Sequence, residues 1–154
     1  HWNEDPSSVR VLQRHFLRLT ALVDLETGAS GLLVLTQDGR VWRRLTEDAH
    51  LIEHEYLVEV RGRLAPDGLR RMAEGVIAGG RTLPPCKASW QNETRLRIAI
   101  KGARPGDLAA MCAQVGLQVV SIRRLRIGRV PIGKGPSGAM PAGMWRYLPV
   151  GEKF

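Results

Sequence analysis

Two acids separated by one residue, Asp24 and Glu26, stand just ahead of the apolar run Gly31-Leu32-Leu33-Val34-Leu35-Thr36. Carboxylates that close repel one another, so without a neighbouring cation one of them holds its proton more tightly and is a weaker nucleophile. Acids in a turn before a buried strand would look the same. Positive charge gathers later, at Arg123, Arg124, Arg126 and Arg129, with Lys134 in the loop that follows. Such a cluster suits a polyanion, or else forms a solvated basic edge. Alternate residues of a strand point to opposite faces, so these cations cannot all touch one backbone. Tyr56 can fill a core beside Leu57. His15, His50 and His54 have neither metal-ligand spacing nor a nucleophile to activate, and read as ordinary surface or core residues. Cys86 and Cys112 are far apart and belong to no Cys-x-x-Cys pair. Neither a metal site nor a disulfide framework is expected, which fits a reducing cytoplasm.

The chain of 154 residues carries a net charge of +8 and a pI near 10.5. That excess calls for a polyanionic partner, of which nucleic acid is the commonest. With 44% hydrophobic and 25% charged residues, the composition is that of a globular domain, and the length that of a single one. No apolar run approaches the roughly 20 residues that span a bilayer, and no signal peptide is expected. The chain opens on His1 rather than Met, as a fragment or processed form would.

The elements that must position these residues follow from pattern. Ser7 and Ser8 can cap a first helix whose apolar face is Val9, Leu12, Phe16 and Leu19. Leu22 to Leu25 is a short strand, and Gly31 to Thr36 a buried one closed by an Asp38-Gly39 turn. Val41, Trp42 and Leu45 suggest a short helix. Glu55 to Arg61 alternates as a half-exposed strand, and Pro66 to Glu74 is helix-sized, with Gly75 placed to end it. Val76–Ile77 and Lys87–Trp90 are strand candidates. Thr94 to Lys101 is the clearest strand, with Leu96, Ile98 and Ile100 on one face and Arg95, Arg97 and Lys101 on the other. Pro105 to Val115 is a helix with Asp107 near its positive end. Val119 to Ile127 and Arg129 to Ile132 are strands, before a loop from Gly133 to Pro141. The fold class is α+β, dominated by antiparallel strands.

Three ordered segments carry a resemblance. Gly31-Leu32-Leu33-Val34-Leu35-Thr36-Gln37-Asp38-Gly39 is similar to the strand-and-turn GLLLLTNDG of the RsuA/RluF-type ribosomal RNA pseudouridine synthases, and Glu55-Tyr56-Leu57-Val58 to their EYLV strand. Arg123-Arg124-Leu125-Arg126-Ile127-Gly128, with Gly143-Met144-Trp145-Arg146-Tyr147-Leu148, resembles their R-x-R-I-G and G-x-W-R-x-L ending. The resemblance implies a pseudouridine synthase fold over 1–154, a mostly antiparallel sheet from two α+β lobes with RNA in the cleft between them. It also implies isomerisation of uridine with no metal or organic cofactor: a carboxylate activates the target, the glycosidic bond breaks, and the base rejoins through carbon. The nucleotide must first be flipped out. Family members usually carry a small RNA-binding module ahead of this domain, and the chain has no counterpart of it.

The resemblance leaves the carboxylate open. The family's Asp closes a GRLD motif five residues before the Gly that opens the strand, and that count reaches Glu26. A two-residue insertion brings Asp24 into place instead, with Leu22 where the motif's Arg would be. Glu is one methylene longer than Asp, and a misplacement of about 1 Å can cost on the order of 100-fold in a positioned reaction. Tyr56 takes the place of the family's tyrosine against the target nucleotide. The family's Arg-rich run NRQIRRM corresponds here to Pro105-Gly106-Asp107-Leu108-Ala109-Ala110-Met111, which keeps a helix and loses its cations. Arg104, just upstream, is the candidate to replace one phosphate contact, and Arg123, Arg124, Arg126, Arg129 and Lys134 are candidates for others. The chain is therefore expected to be either an active synthase or an RNA-binding paralogue whose chemistry has lapsed.

Overall fold

A computed structural model describes residues 1–133 and 138–154. The elements in chain order are β1 (Thr20–Leu22), β2 (Ala29–Gly31), β3 (Val34–Thr36), α1 (Gly39–Glu47), β4 (Glu53–Gly62), α2 (Gly68–Glu74), β5 (Ile77–Ala78), β6 (Arg81–Thr82), β7 (Cys86–Trp90), β8 (Arg95–Lys101), α3 (Asp107–Gln114), β9 (Leu117–Ile127) and β10 (Val130–Pro131). The main sheet runs β10-β9-β4-β8-β7 through antiparallel pairs, with β2 joining β9 in parallel. Two small pairs, β1 with β3 and β5 with β6, complete the α+β architecture.

Alternation decides which sheet face is covered. Val58, Val60, Leu96, Ile98 and Ile100 share the face on which α2 and α3 lay Met72, Leu108, Met111 and Cys112, forming the larger core. A second, smaller core joins Leu22, Leu32, Leu45, Ile52, Ile127 and Val130. The two cores are the two expected lobes, and β9 contributes to both, through Leu117 and Ile122 to the larger and Ile127 to the smaller.

Several local expectations are corrected. No α-helix follows Ser7 and Ser8; the segment holds only a single 3-10 turn at Gln13–Phe16. Ser8 and Arg18 have positive φ, which interrupts a helix, and Val9, Phe16 and Leu17 stay exposed. Gly31 to Thr36 is also not one buried strand. The chain bends at Gly31, whose φ of +110° suits only glycine, and a Cβ there would stand 2.2 Å from the Arg124 carbonyl oxygen. Leu32 turns into the smaller core while Leu33 and Leu35 face outward. The first short strand is likewise Thr20–Leu22, not Leu22–Leu25. The Asp38-Gly39 turn is a helix start, where the Asp38 carboxylate accepts from the Arg40 amide as the N-cap of α1.

Candidate active site

A cavity of about 150 Å³ opens where the two lobes meet. Its walls are Val23, Asp24, Leu25, Glu26 and Ala29 from the loop after β1, Ala49, and His54 and Tyr56 of β4. The far side is Gly102 to Pro105 after β8, Leu108 of α3, and Ile122 and Arg124 of β9. Cavities of this size, when apolar, take up a benzene-sized ring. Asp24, Glu26, Tyr56, Arg104 and Arg124 all line this one space.

Arg124 organises the floor. It lies opposite Tyr56 in the β4–β9 pairing and is only 3% exposed. Its Nε donates to the Leu32 carbonyl at 2.9 Å, and Nη2 donates to the carbonyls of Leu32 and Val23. Val23 has a φ of +50°, an uncommon conformation for a β-branched residue. Arg124 therefore clamps a strained residue immediately before Asp24. Burial pushes the Arg124 guanidinium below its ordinary pKa, while Tyr56 and Asp24 push it back up. Asp24 is thus the acid whose charge this buried cation feels.

Glu26 is held differently. Its Oε2 accepts the Gly106 amide at 3.0 Å, at the start of α3. A carboxylate there satisfies one of the helix's orphan amides and sits at the positive end of its dipole. Asp107 completes that start: it receives Arg81 bidentately at 2.8 and 2.9 Å and the Arg104 amide at 2.8 Å. Those Arg81 hydrogen bonds hold the Asp107 carboxyl below its ordinary range against the opposing effect of burial. Arg81, from the β5–β6 hairpin, is thus spent on Asp107 and is not among the residues that line the cavity.

Burial raises the Tyr56 phenol above its ordinary pKa; Arg124 opposes this and Glu26 adds to it. His54, two residues earlier on the same face, brings Nδ1 to 3.2 Å from Tyr56 Oη. Burial, then Arg124 and Arg126, lower its pKa to about 4, so the imidazole is neutral at pH 7.

The basic cluster of the sequence is dispersed. The β4–β9 register slips between Glu55 and Tyr56, leaving Leu125 as an extra residue. Arg124 points into the cavity, whereas Arg123 and Arg126 share the opposite, open face. Arg126 is consumed there by Glu53 at 2.7 Å and Glu55 at 3.1 Å. Arg123 is exposed, and Arg129 is exposed in the turn before β10. Arg104 is exposed at the cavity rim. Lys134 lies outside the described residues. The cluster is divided between faces, as strand alternation required, and the bulge at Leu125 sets where the division falls. Sequence reasoning passed over His54, although its place two residues before Tyr56 in an alternating strand was the available signal. Among the described residues, no group of three or more His, Cys, Asp or Glu side chains could hold a metal ion.

No protein-family model matches the chain. It is 32% identical over 133 residues to the ribosomal small subunit pseudouridine synthase A of Yersinia pestis, covering 81% of this chain and 56% of that protein. The protein of the same description from Escherichia coli K12 is also 32% identical, with 81% and 57% covered. The chain thus spans a little over half the length of these relatives. A solved structure described as a pseudouridylate synthase superposes with a TM-score of 0.68 at 28% identity, over 73% of this chain and 50% of that one.

Proposed function

We propose that this chain, which belongs to the RsuA/RluF-type ribosomal RNA pseudouridine synthase family, converts a uridine of ribosomal RNA to pseudouridine with Asp24 as the reacting carboxylate. The observation that carries this is the convergence of Asp24, Tyr56 and Arg124 on one ring-sized cavity between the lobes. Pseudouridine is an isomer of uridine, so the conversion consumes no redox equivalent. What the site must supply is a nucleophile, a surface for the flipped base and a place for moving protons.

Asp24 is the better nucleophile on three counts. It directly follows Val23, whose carbonyl accepts from the buried Arg124 guanidinium. Glu26, by contrast, has an oxygen engaged by the Gly106 amide. The placement also agrees with the two-residue insertion in the sequence. Where the family's motif has an Arg, this chain has Leu22, buried in the smaller core, and Arg124 takes the neighbouring cation's role from across the sheet. Tyr56 offers its ring to the base, a sequence-tolerant way to hold a flipped nucleotide.

RNA would enter along the rim past Arg104, where the flanking phosphates meet its guanidinium, with Arg123 and Arg129 as outlying contacts. Flipping costs a few kcal/mol, which those contacts must offset. The cytoplasm, where ribosomal RNA is modified, is the matching location. No helix among the described residues is long and apolar enough to cross a membrane.

The test is incubation with an unmodified small-subunit ribosomal RNA transcript and mass-spectrometric readout of pseudouridine. Product is expected. RNA binding without product would leave a binding paralogue, the alternative that the cation-poor start of α3 favours.

A further inference from the structure

The assignment above leaves His54 unused, although it shares the cavity with the proposed reacting groups. His54 and Tyr56 stand two apart on β4, so both side chains face the same space. Nδ1 of His54 lies 3.2 Å from Tyr56 Oη, with the ring centroids 6.2 Å apart. The direction of the hydrogen bond follows from the neighbours. Arg124 has donors only, and its guanidinium and the Tyr56 phenol stabilise each other's charged forms. A cation opposite Tyr56 in the β4–β9 register favours a phenol oxygen turned toward it, which leaves the phenolic proton for Nδ1. Arg124 and Arg126 disfavour a second cation here, so the imidazole keeps that lone pair and carries its hydrogen on Nε2.

Resting on the pseudouridine synthase reading, the geometry points to His54 as the positioning residue of Tyr56, drawing the phenolic proton away from the cavity so that an oxygen lone pair faces the bound base. The base has a proton to lose. Once C5 has bonded to C1′ it still carries its original hydrogen, and the ring regains conjugation when that proton leaves. The C–H electron pair returns to the ring, the proton passes to Tyr56 Oη, and the phenolic proton passes to His54 Nδ1. The imidazolium, disfavoured beside Arg124, releases a proton to water. As C5=C6 re-forms, the N1=C6 pair that arose when C5 bonded to C1′ returns to N1, which takes a proton from water. One proton leaves C5 and one arrives at N1, with no oxidant or reductant.

The experiment is single-turnover pseudouridine formation on small-subunit ribosomal RNA transcripts made with ordinary or 5-deuterated uridine. Wild type, His54→Phe and His54→Asn are compared, with RNA affinity and thermal unfolding measured for each. His54→Phe is expected to slow product formation by about 10- to 100-fold with RNA affinity changed by less than about twofold. Its deuterium isotope effect should exceed that of wild type, because C5 proton removal becomes slow. His54→Asn places an amide oxygen near the position of Nδ1 and should recover part of the rate. Unchanged rate and isotope effect in His54→Phe overturn the assignment. So does a slow His54→Phe with an unchanged isotope effect and no recovery in His54→Asn, the behaviour of a packing residue. An active wild type with an indifferent His54→Phe removes this inference alone, whereas an inactive wild type removes the underlying reading as well.

Discussion

Glu26 and Gly106, 80 residues apart, are joined by a 3.0 Å hydrogen bond from the Gly106 amide to the Glu26 carboxylate. That bond ties the loop between β1 and β2 to the start of α3 and separates the two acids by task. Glu26 is tied to α3 at the cavity's rim, and Asp24, solvent-exposed, lines the same cavity without that tie.

The separation has a thermodynamic consequence. Glu26→Ala removes an acceptor from the first turn of α3 and is expected to lower unfolding free energy by about 1 kcal/mol, the usual scale of a helix-start contact. Glu26→Gln keeps an acceptor oxygen and should lose less. Urea titration of the two variants checks this; equal losses would mean that the carboxylate's charge, not its hydrogen bond, matters there.

Two glycines with positive φ separate conformational strain from steric contact. Gly28 has a φ of +83° and open space within 4 Å of where a Cβ would stand, whereas at Gly31 a Cβ would collide with Arg124 backbone atoms at 2.2 and 2.5 Å. Gly28→Ala is expected to cost about 1 kcal/mol. Gly31→Ala should cost several times more, about 3 kcal/mol or above, because backbone must move. Similar midpoints in thermal unfolding would refute the close approach of β2 to β9.

Buried His54 gives stability a pH dependence of known sign. Its folded pKa, about 4, lies below the ordinary value of 6.5, so between those values the unfolded chain binds the extra proton. Stability then rises with pH through that window and is lost on acidification, by up to about 3 kcal/mol. The carboxylates of Asp5, Glu53 and Asp107, held below their ordinary values, lose their contributions at lower pH still. Unfolding free energies from pH 7 to 4 should therefore slope less in His54→Phe than in wild type; parallel curves would contradict the burial.

Cations at the rim and in ion pairs should differ in salt dependence. Arg104→Ala is expected to reduce the slope of log affinity for single-stranded RNA against log salt by about 0.7, one phosphate's worth. Arg126, already held by Glu53 and Glu55, should contribute much less. Equal reductions in the two variants would overturn this sorting.

Much of the fold was legible because the strands alternate cleanly. Leu96, Ile98 and Ile100 of β8 are buried as their period required, and Gly75 ends α2 as its position indicated. The misreadings arise where a local rule meets a nonlocal one. Val9 to Leu19 has helical spacing, but its backbone takes positive φ at Arg18 and its Phe16 meets Trp145 edge-on instead of entering a core. Gly31 to Thr36 reads as one strand until the approach of β9 forces a bend at Gly31. Alternation put Arg124 and Arg126 on one face, and the extra residue Leu125 moved them apart. At the site, the family resemblance brought Asp24, Glu26 and Tyr56 into view and left the choice between the two acids open. The preference for Asp24 proposed above rests on the pairing of Glu26 with Gly106 and the clamp of Arg124 on the Val23 carbonyl, both across long stretches of chain.

The most direct measurement compares pseudouridine formed on a small-subunit ribosomal RNA transcript by wild type, Asp24→Asn and Glu26→Gln under single-turnover conditions. Wild type is expected to form product, Asp24→Asn to form none, and Glu26→Gln to remain active. Product from Asp24→Asn together with none from Glu26→Gln would contradict the assignment of the reacting carboxylate.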